Sequence, residues 1–269
     1  DEVAQSDLTA TGDGLIVLQA TGSIVINDGE DDDDEGVRAD GVGNVGFEAT
    51  GDVTLNAGVN SGNGSVNVMA DGAVTQADGG DIISGGSVLV DAGSGAITMT
   101  TGTVTQTNGG NIRYYAATDV LISVIDARTQ ADRDADSLAG QNGWGHLSIT
   151  AVTGSILDIA PANLQDVDLY GREGRLLAGA GIGELEPGFN AIETELILIA
   201  TASGSLGTNV VDTTEIVGGS VDPVDVIRVL MDGSTTIVSD DGIQSGQTST
   251  APDDDPINVR ALDSGLMIA

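Results

Sequence analysis

The apolar runs in this chain are short, alternating and evenly punctuated, and that pattern constrains the fold more than any other feature. LIVLQA, SIVIN, DVTLN, SVNVM, AVTQ, SVLVD, AITMT, TVTQ, DVLISVI, LSITA, SILDI and ELILIA are each bracketed by Gly, Asp, Asn or Ser. Alternation at period two over so few residues is the signature of a strand with one face in a core. Helical periodicity is nearly absent, with Asp126 to Ala139 as the best stretch for a helix.

The runs also repeat. MADGAVTQADGGDI (Met69 to Ile82) aligns with MTTGTVTQTNGGNI (Met99 to Ile112) at an offset of 30 residues, with eight of fourteen positions identical. An antiparallel sandwich has no reason to repeat at a fixed offset. A chain wound into coils does, because each coil lies ~4.8 Å above the last and equivalent residues stack into ladders. The sequence therefore predicts an all-β, single-stranded parallel β-helix (a β-solenoid) of eight or nine coils, with about 30 residues and three strands in each.

In this arrangement Val66, Val68, Val88, Val90, Ile97 and Met99 point inward. Gly72, Gly102 and the pairs at 79 to 80 and 109 to 110 sit at corners that need positive φ or close backbone packing. The Thr and Gln of the VTQ phrases, with Asn108 and Asn111, are expected to form polar ladders at the turns. Composition agrees: aromatics are only 2% and glycine reaches 40 residues, which suits a narrow interior filled by β-branched side chains.

One domain over residues 1–269 is expected, with regular coils over about 14–160 and less regular ones over 161–269; Pro161 and Pro223 mark the places where a boundary could fall. LILIA, DVIRVL, TTIV and INVR still read as strands in the second part. Segments 29–36 and 127–145 break the rhythm and are read as acidic insertions that leave the stack as side loops, and TSTAPDDDP (Thr248 to Pro256) does the same near the C-terminus. Neither end reads as a cap, so the chain is expected to be a piece of a longer array or to meet copies of itself end to end.

Charge narrows the partners. Acidic residues number 42 against 8 basic ones, all arginine, for a formal charge of −34. Nucleic acid is excluded, since its binding rests on neutralising phosphates with Lys and Arg. Anionic membranes are disfavoured, no apolar run approaches the ~20 residues of a membrane helix, and DEVAQSDLTA lacks a signal pattern, so the chain reads as a mature or excised soluble piece with no membrane insertion. Self-repulsion of this size predicts a fold that prefers high ionic strength or bound divalent cations. The absence of cysteine removes disulfides, zinc thiolates and thiol catalysis together.

The pairing of TADGAVTQ-like with GSVLVDAGSGAITMT-like phrases resembles the β-solenoid repeats of filamentous haemagglutinin-type adhesins and of giant bacterial surface repeat proteins. It covers roughly Gly14 to Ile159 well and the remainder loosely. The resemblance implies a secreted or cell-surface protein serving in adhesion, a coat or a matrix, and it carries no residue-level binding motif.

Candidate sites are few. Asp132, Asp134 and Asp136 have the D-x-D-x-D spacing by which alternate carboxylates converge on Ca2+. Ser137 then stands where such a loop needs glycine, and Gly143 where it needs a bidentate glutamate, so the other reading is a solvated acidic insertion. Asp31, Asp32, Asp33 and Asp34, with Glu35, Asp28 and Glu30, place seven carboxylates in eight residues. They could hold Ca2+ weakly, or could keep neighbouring rods apart; Asp240 with Asp241 and Asp253 to Asp255 pose the same choice. The calcium-binding nonapeptide GGxGxDxUx does not occur. Trp144, the single histidine His146, Tyr114 and Tyr115 form either a sugar-stacking patch or an aromatic plug for the insertion.

The alternative function is a polysaccharide-binding or polysaccharide-degrading β-helix, with paired carboxylates as acid and base or with Arg113, Arg172 and Arg175 in a lyase. Against an enzyme stand the lack of G-H-G and R-I-K motifs, of lysine, and of aromatics for a cleft. Glycine-rich phrases lie between short strands with no helix behind them, so they read as corners and not as phosphate loops. The expected role is non-enzymatic: an extracellular structural or adhesive segment whose partners are copies of itself or adjacent repeats, with surface glycans as a further partner.

Overall fold

The computed structural model describes residues 7–29, 33–159, 167–185, 190–243, 257–261 and 266–268. The chain winds as a parallel β-solenoid with three faces. Face one stacks ten strands: Ile16–Ala20, Val45–Ala49, Val66–Ala70, Val88–Ala92, Ile112–Ala116, Leu147–Ala151, Glu173–Ala178, Leu198–Ala202, Ile216–Gly218 and Leu266–Ile268. Each of the first seven is followed by a strand of face two, such as Val53–Leu55, Val74–Gln76, Ile97–Met99 or Val120–Ile122, and then one of face three, such as Gly58–Asn60, Ile82–Ser84, Val104–Thr107 or Val124–Asp126. Every pairing within these faces is parallel; in the eighth coil the single strand Gly207–Asp212 spans both later faces, pairing with Gly181–Ile182 and with Ile192–Glu195.

The coil is shorter than 30 residues. On face one, Val45 pairs with Val66, Val66 with Val88 and Val88 with Ile112, steps of 21, 22 and 24 residues. A 30-residue offset is therefore one coil plus one side, and the two copies of the repeat occupy different faces. Val74 lies on face two, where its neighbour in the next coil is Ile97. Val104 lies on face three above Ile82's strand, with Ile82 opposite Thr105. The shift also turns the motif inside out: in the first copy Val74 and Gln76 face the core, and in the second it is Thr105 and Thr107.

The inward ladders are those expected from alternation. Val66, Val68, Val88, Val90, Ile97 and Met99 are all fully buried. At ~1.5–3 kcal/mol for each buried Val or Ile, they supply the main stabilisation of the stack. One continuous apolar cluster runs from Ile16 to Ile216. Beneath face one, the last inward position is alanine in seven successive coils: Ala20, Ala49, Ala70, Ala92, Ala116, Ala151 and Ala178 stack in register. A small residue is required there because the chain turns sharply toward face two.

A glycine column marks the opposite corner. Gly14, Gly43, Gly64, Gly86, Gly110 and Gly145 each stand two residues before a face-one strand. A Cβ on Gly64 would lie 2.0 Å from the Gly43 carbonyl oxygen, and one on Gly110 2.0 Å from that of Gly86. Coil-to-coil hydrogen bonding at the corners demands this approach, as in Val66 N–H to the Ser87 carbonyl at 3.0 Å and Val88 N–H to that of Asn111 at 2.9 Å. Gly79, Gly102 and Gly109 have positive φ, as their corner placement requires, whereas Gly72 is a close-packing position against Gly51 and Asp52.

One closed polar network lies in the interior around Tyr114. The fully buried Tyr114 hydroxyl lies 2.5 Å from Gln76 Oε1 and 2.6 Å from Thr105 Oγ1, and Gln76 Nε2 donates to Thr105 Oγ1 and to the Gly80 carbonyl at 3.1 Å. Each polar atom has a partner, so burial costs little. Of the VTQ phrases, Gln76 and Thr105 thus sit within the coil and Thr75 and Gln106 face outward, while Asn108 and Asn111 take the turn role, accepting from Gln130 N–H and His146 N–H.

The irregular C-terminal part departs from the coil. Val226–Val229 and Thr235–Val238 read as further coil strands in the sequence, yet they pair antiparallel with each other. The cause is the turn MDGS: Gly233 has φ 82°, Leu230 N–H donates to the Ser234 carbonyl, and Asp232 Oδ1 accepts from Ser234 N–H and Oγ. The hairpin is an arm laid lengthwise along face one. Asn111 Nδ2 donates to the Asp225 carbonyl, Ile227 N–H to Ser87 Oγ, and Asn67 Nδ2 to the Ile227 carbonyl, at 2.7 to 2.8 Å. Val229 rests on Gly46, and Gly233 at the tip meets Leu15. From its root, where Val221 pairs with Ile243 over Ala200, the arm covers seven coil steps, about 34 Å at the spacing of paired strands.

Of the two expected acidic insertions, residues 127–145 carry helix α1 (Gln130–Ala135) and a 3-10 turn (Gln141–Gly143). The segment 29–36 is only partly a loop, since Glu35–Ala39 is a face-three strand paired with Leu8–Ala10 and Gly58–Asn60. Pro161 lies outside the described residues. Pro223 stands at the root of the arm, where the chain leaves the coils before rejoining them at Ile257–Ala261.

Candidate functional site: a cleft beneath the arm

Face one presents two outward ladders, and the arm lies over the first: Val17, Gly46, Asn67, Leu89, Arg113, Ser148 and Arg175 in successive coils. The second runs through Gln19, Glu48, Met69, Asp91, Tyr115, Thr150 and Leu177. Near its root the arm stands off the sheet, leaving a cleft of about 780 Å³ lined by Arg113, Tyr115, Thr150, Arg175, Ser239 and Asp240 among others.

Two of the eight arginines meet here in a chain of charge −34. Arg175 is 6% exposed, donates from Nη1 to Thr150 Oγ1 at 2.8 Å, and has Nε 3.7 Å from Asp240 Oδ1. That separation is an ion pair and not a hydrogen bond. Burial lowers the Arg175 pKa, Asp240 opposes this, and the Arg113 charge adds to it. Arg113 lies 5.8 Å from the Tyr115 ring centroid. Among the described residues, Arg175 Nε, Arg113 Nη1 and Asp240 Oδ2 are buried atoms without a hydrogen-bond partner. Arg172, by contrast, is half-exposed and sits against Glu173.

The aromatic residues do not form one patch. Adjacent residues of a strand point to opposite faces, so Tyr114 is inside the coil and Tyr115 faces the cleft. Trp144 is 3% exposed and its indole N–H donates to Asp132 Oδ2 at 2.8 Å, packing the insertion onto the rod. His146 Nδ1 lies 3.4 Å from Glu173.

The carboxylates Asp132, Asp134 and Asp136 do not converge. Asp132 accepts from the Thr129 hydroxyl and from Trp144, contacts that hold its carboxyl below the usual range. Asp134 lies one helical face away and accepts from Gln130 Nε2, and Asp136 ends α1 in a left-handed conformation. The helix replaces the loop that would have brought alternate residues together.

Asp31 and Asp32 lie outside the described residues, as do Asp253 to Asp255. Asp33 joins Asp7 and Asp28, with carboxylate oxygens within 4.8 Å of one another. Asp34, at φ 61°, lines a neighbouring acidic cleft with Asp78 and Asp81. There burial raises the Asp81 carboxyl, the Val104 N–H bond opposes it, and the charges of Asp78 and Asp34 add to it.

A second cluster had no linear signal. Asp158, Asp168 and Glu193 come from different strands and corners of two coils, and their carboxylate oxygens also lie within 4.8 Å of one another. Burial, then the Asp158 charge, push the Asp168 carboxyl up to about 9, against the pull of the Glu193 N–H bond. The folded state therefore holds a proton that the unfolded chain releases above the ordinary carboxylate range. This contribution is full at low pH and is lost as pH rises toward the folded value. Asp168→Asn should flatten the decline of Tm between pH 5 and pH 8 and raise Tm at pH 8 by about 2–4 °C; a melting series of both proteins in metal-free buffer reads it.

No family model matches the chain, and neither any curated protein nor any solved structure matches it. No helix among the described residues is long and apolar enough to cross a membrane.

Proposed function

We propose that the chain is a non-enzymatic structural and adhesive segment of a cell exterior, a rod stacked end to end with copies of itself or with adjoining repeats in a fibre, coat or stalk. The observation that carries this reading is the unbroken parallel register of face one, ten strands deep. Such a column stacks its strands in register at ~4.8 Å intervals and is extended by adding coils, which suits a spacer. The resemblance to filamentous haemagglutinin-type adhesins supports the same role.

Ca2+ is the proposed cofactor, at Asp7, Asp28 and Asp33 and at Asp158, Asp168 and Glu193. Hard cations favour clustered carboxylate oxygens, and they relieve the repulsion of 42 acidic residues. At tenfold excess over its dissociation constant, one site adds about 1.4 kcal/mol, or ~2–4 °C in Tm. Calcium at 10 mM should give this increase over sodium chloride of equal ionic strength, and Asp33→Asn and Asp168→Asn should each remove part of it.

Negative-stain electron microscopy of the purified chain, with and without calcium, tests the rod itself. Rods about 45 Å long, set by ten coil levels, joined into longer filaments with calcium are the expected result. Lone globules under all conditions would refute the role.

A further inference from the structure

We propose that the cleft beneath the arm binds a neutral hexose unit of a polysaccharide, held by Arg113, Arg175 and Asp240 through its hydroxyls and by Tyr115 through its ring face. This rests on the adhesive reading above and gives the adhesive segment its ligand class.

The argument starts from unmet bonding. Arg175 Nε and Arg113 Nη1 are buried donors, and Asp240 Oδ2 is a buried acceptor; none has a hydrogen-bond partner among the described residues, and the side chains of all three line the same cleft. Buried polar atoms are nearly always paired, so such a group at a cleft marks a place for a ligand or ordered water. Arg175 and Asp240 could pair fully with each other, yet they are held 3.7 Å apart at Nε and Oδ1. Asp240 Oδ1 is meanwhile occupied by Val224 N–H, which fixes that side chain to the arm.

The mixture of donors and an acceptor selects the chemistry. A sugar hydroxyl donates and accepts at once, so a vicinal diol can satisfy guanidinium and carboxylate together. A carboxylate or sulfate would suit the arginines but would face Asp240 and Asp241 in a chain of charge −34. Tyr115, outward on the second ladder beside Arg113, supplies the flat apolar surface on which C–H faces of a pyranose pack. Small residues, among them Ala178, Gly179 and Gly204, keep the floor open. A volume of about 780 Å³ lies within the range of small-molecule sites.

The test uses the full chain and three probes: cellohexaose, maltohexaose and trigalacturonate, by saturation-transfer NMR and calorimetry at 0.15 M salt. The expected result is binding of at least one neutral hexaose and weaker or no binding of the uronate. Tyr115→Ala should weaken binding about tenfold and Arg113→Gln about fivefold. Both side chains lie on the outer surface of the sheet, so far-UV circular dichroism and Tm should stay near those of the parent. No transfer to either neutral probe at 10 mM, binding untouched by both variants, or preference for the uronate would each overturn the proposal. Rods without sugar binding would sink this inference alone, whereas sugar binding by lone globules would sink the rod and leave the cleft standing.

Discussion

Gly110→Val should abolish the folded state. Its Cβ would stand 2.0 Å from the Gly86 carbonyl oxygen and 2.5 Å from the carbonyl carbon, both backbone atoms of the coil below. On the other side, the Gly110 carbonyl is itself the atom that excludes a Cβ from Gly145, at 2.1 Å. No side chain can move aside to make room, so the coils must separate and break the ladder from Val88 to Ile112 and on to Leu147. A loss above about 4 kcal/mol is expected, read as disappearance of the strand signal in far-UV circular dichroism at a temperature where the parent is folded. Gly22→Ala is the control: its Cβ meets nothing within 4 Å, and Tm should change by less than about 2 °C.

Asp126→Ala should detach the insertion. Asp126 is 3% exposed and accepts from Arg128 Nε and Nη2 at 2.8 to 3.1 Å and from Arg133 Nη1 at 3.4 Å. Arg128 is also stacked 3.7 Å above the Tyr170 ring and lies 6.0 Å from that of Trp144. Removing the carboxylate leaves a half-buried guanidinium without its counter-charge, which costs about 3–5 kcal/mol. Trp144 is the only tryptophan, so its emission reports on the insertion. It should shift to the red at lower denaturant than the far-UV signal of the coils, while the double change Asp126→Leu with Arg128→Met should recover most of the loss.

The fold was legible because it is written locally. Alternation decides which side of a strand is inside, and it assigned Val66, Val68, Val88, Val90, Ile97 and Met99 to the core. The coil length was not, and the reason lies in the three faces using one code. A strand of face two and a strand of face three are both short β runs flanked by glycine, so the best alignment, VTQ on VTQ, joined two different faces. In the first six coils the true register is carried by glycine two residues before the face-one strand and alanine at its end, as in Gly64 to Ala70 and Gly86 to Ala92. Its period varies from 21 to 35 residues because turns differ in length, and a fixed-offset search cannot detect it.

The site was less legible. A linear reading finds carboxylates that are adjacent, but cations and ligands need groups that are adjacent in space. Asp132, Asp134 and Asp136 were drawn apart by six residues of helix capped by Thr129. Asp158, Asp168 and Glu193 were assembled by coil stacking across 35 residues. The cleft depends on the arm, and the arm depends on one DG turn that makes DVIRVL and TTIV partners of each other. That turn is a hairpin signal in any sequence, and it was the one cue available for placing Asp240 opposite Arg175.

Register between neighbouring coils is the premise of every conclusion above, and the absence of cysteine makes it directly measurable. Thr75 and Thr98 are partners on adjacent strands of face two, both outward, within the reach of a disulfide between neighbouring strands. Mild oxidation of the Thr75→Cys/Thr98→Cys variant should close an intramolecular bond with loss of both free thiols and a parent-like circular dichroism spectrum. Thiols that stay free in that variant, or a bond that closes instead in a Thr75→Cys/Thr105→Cys variant, would contradict the stack.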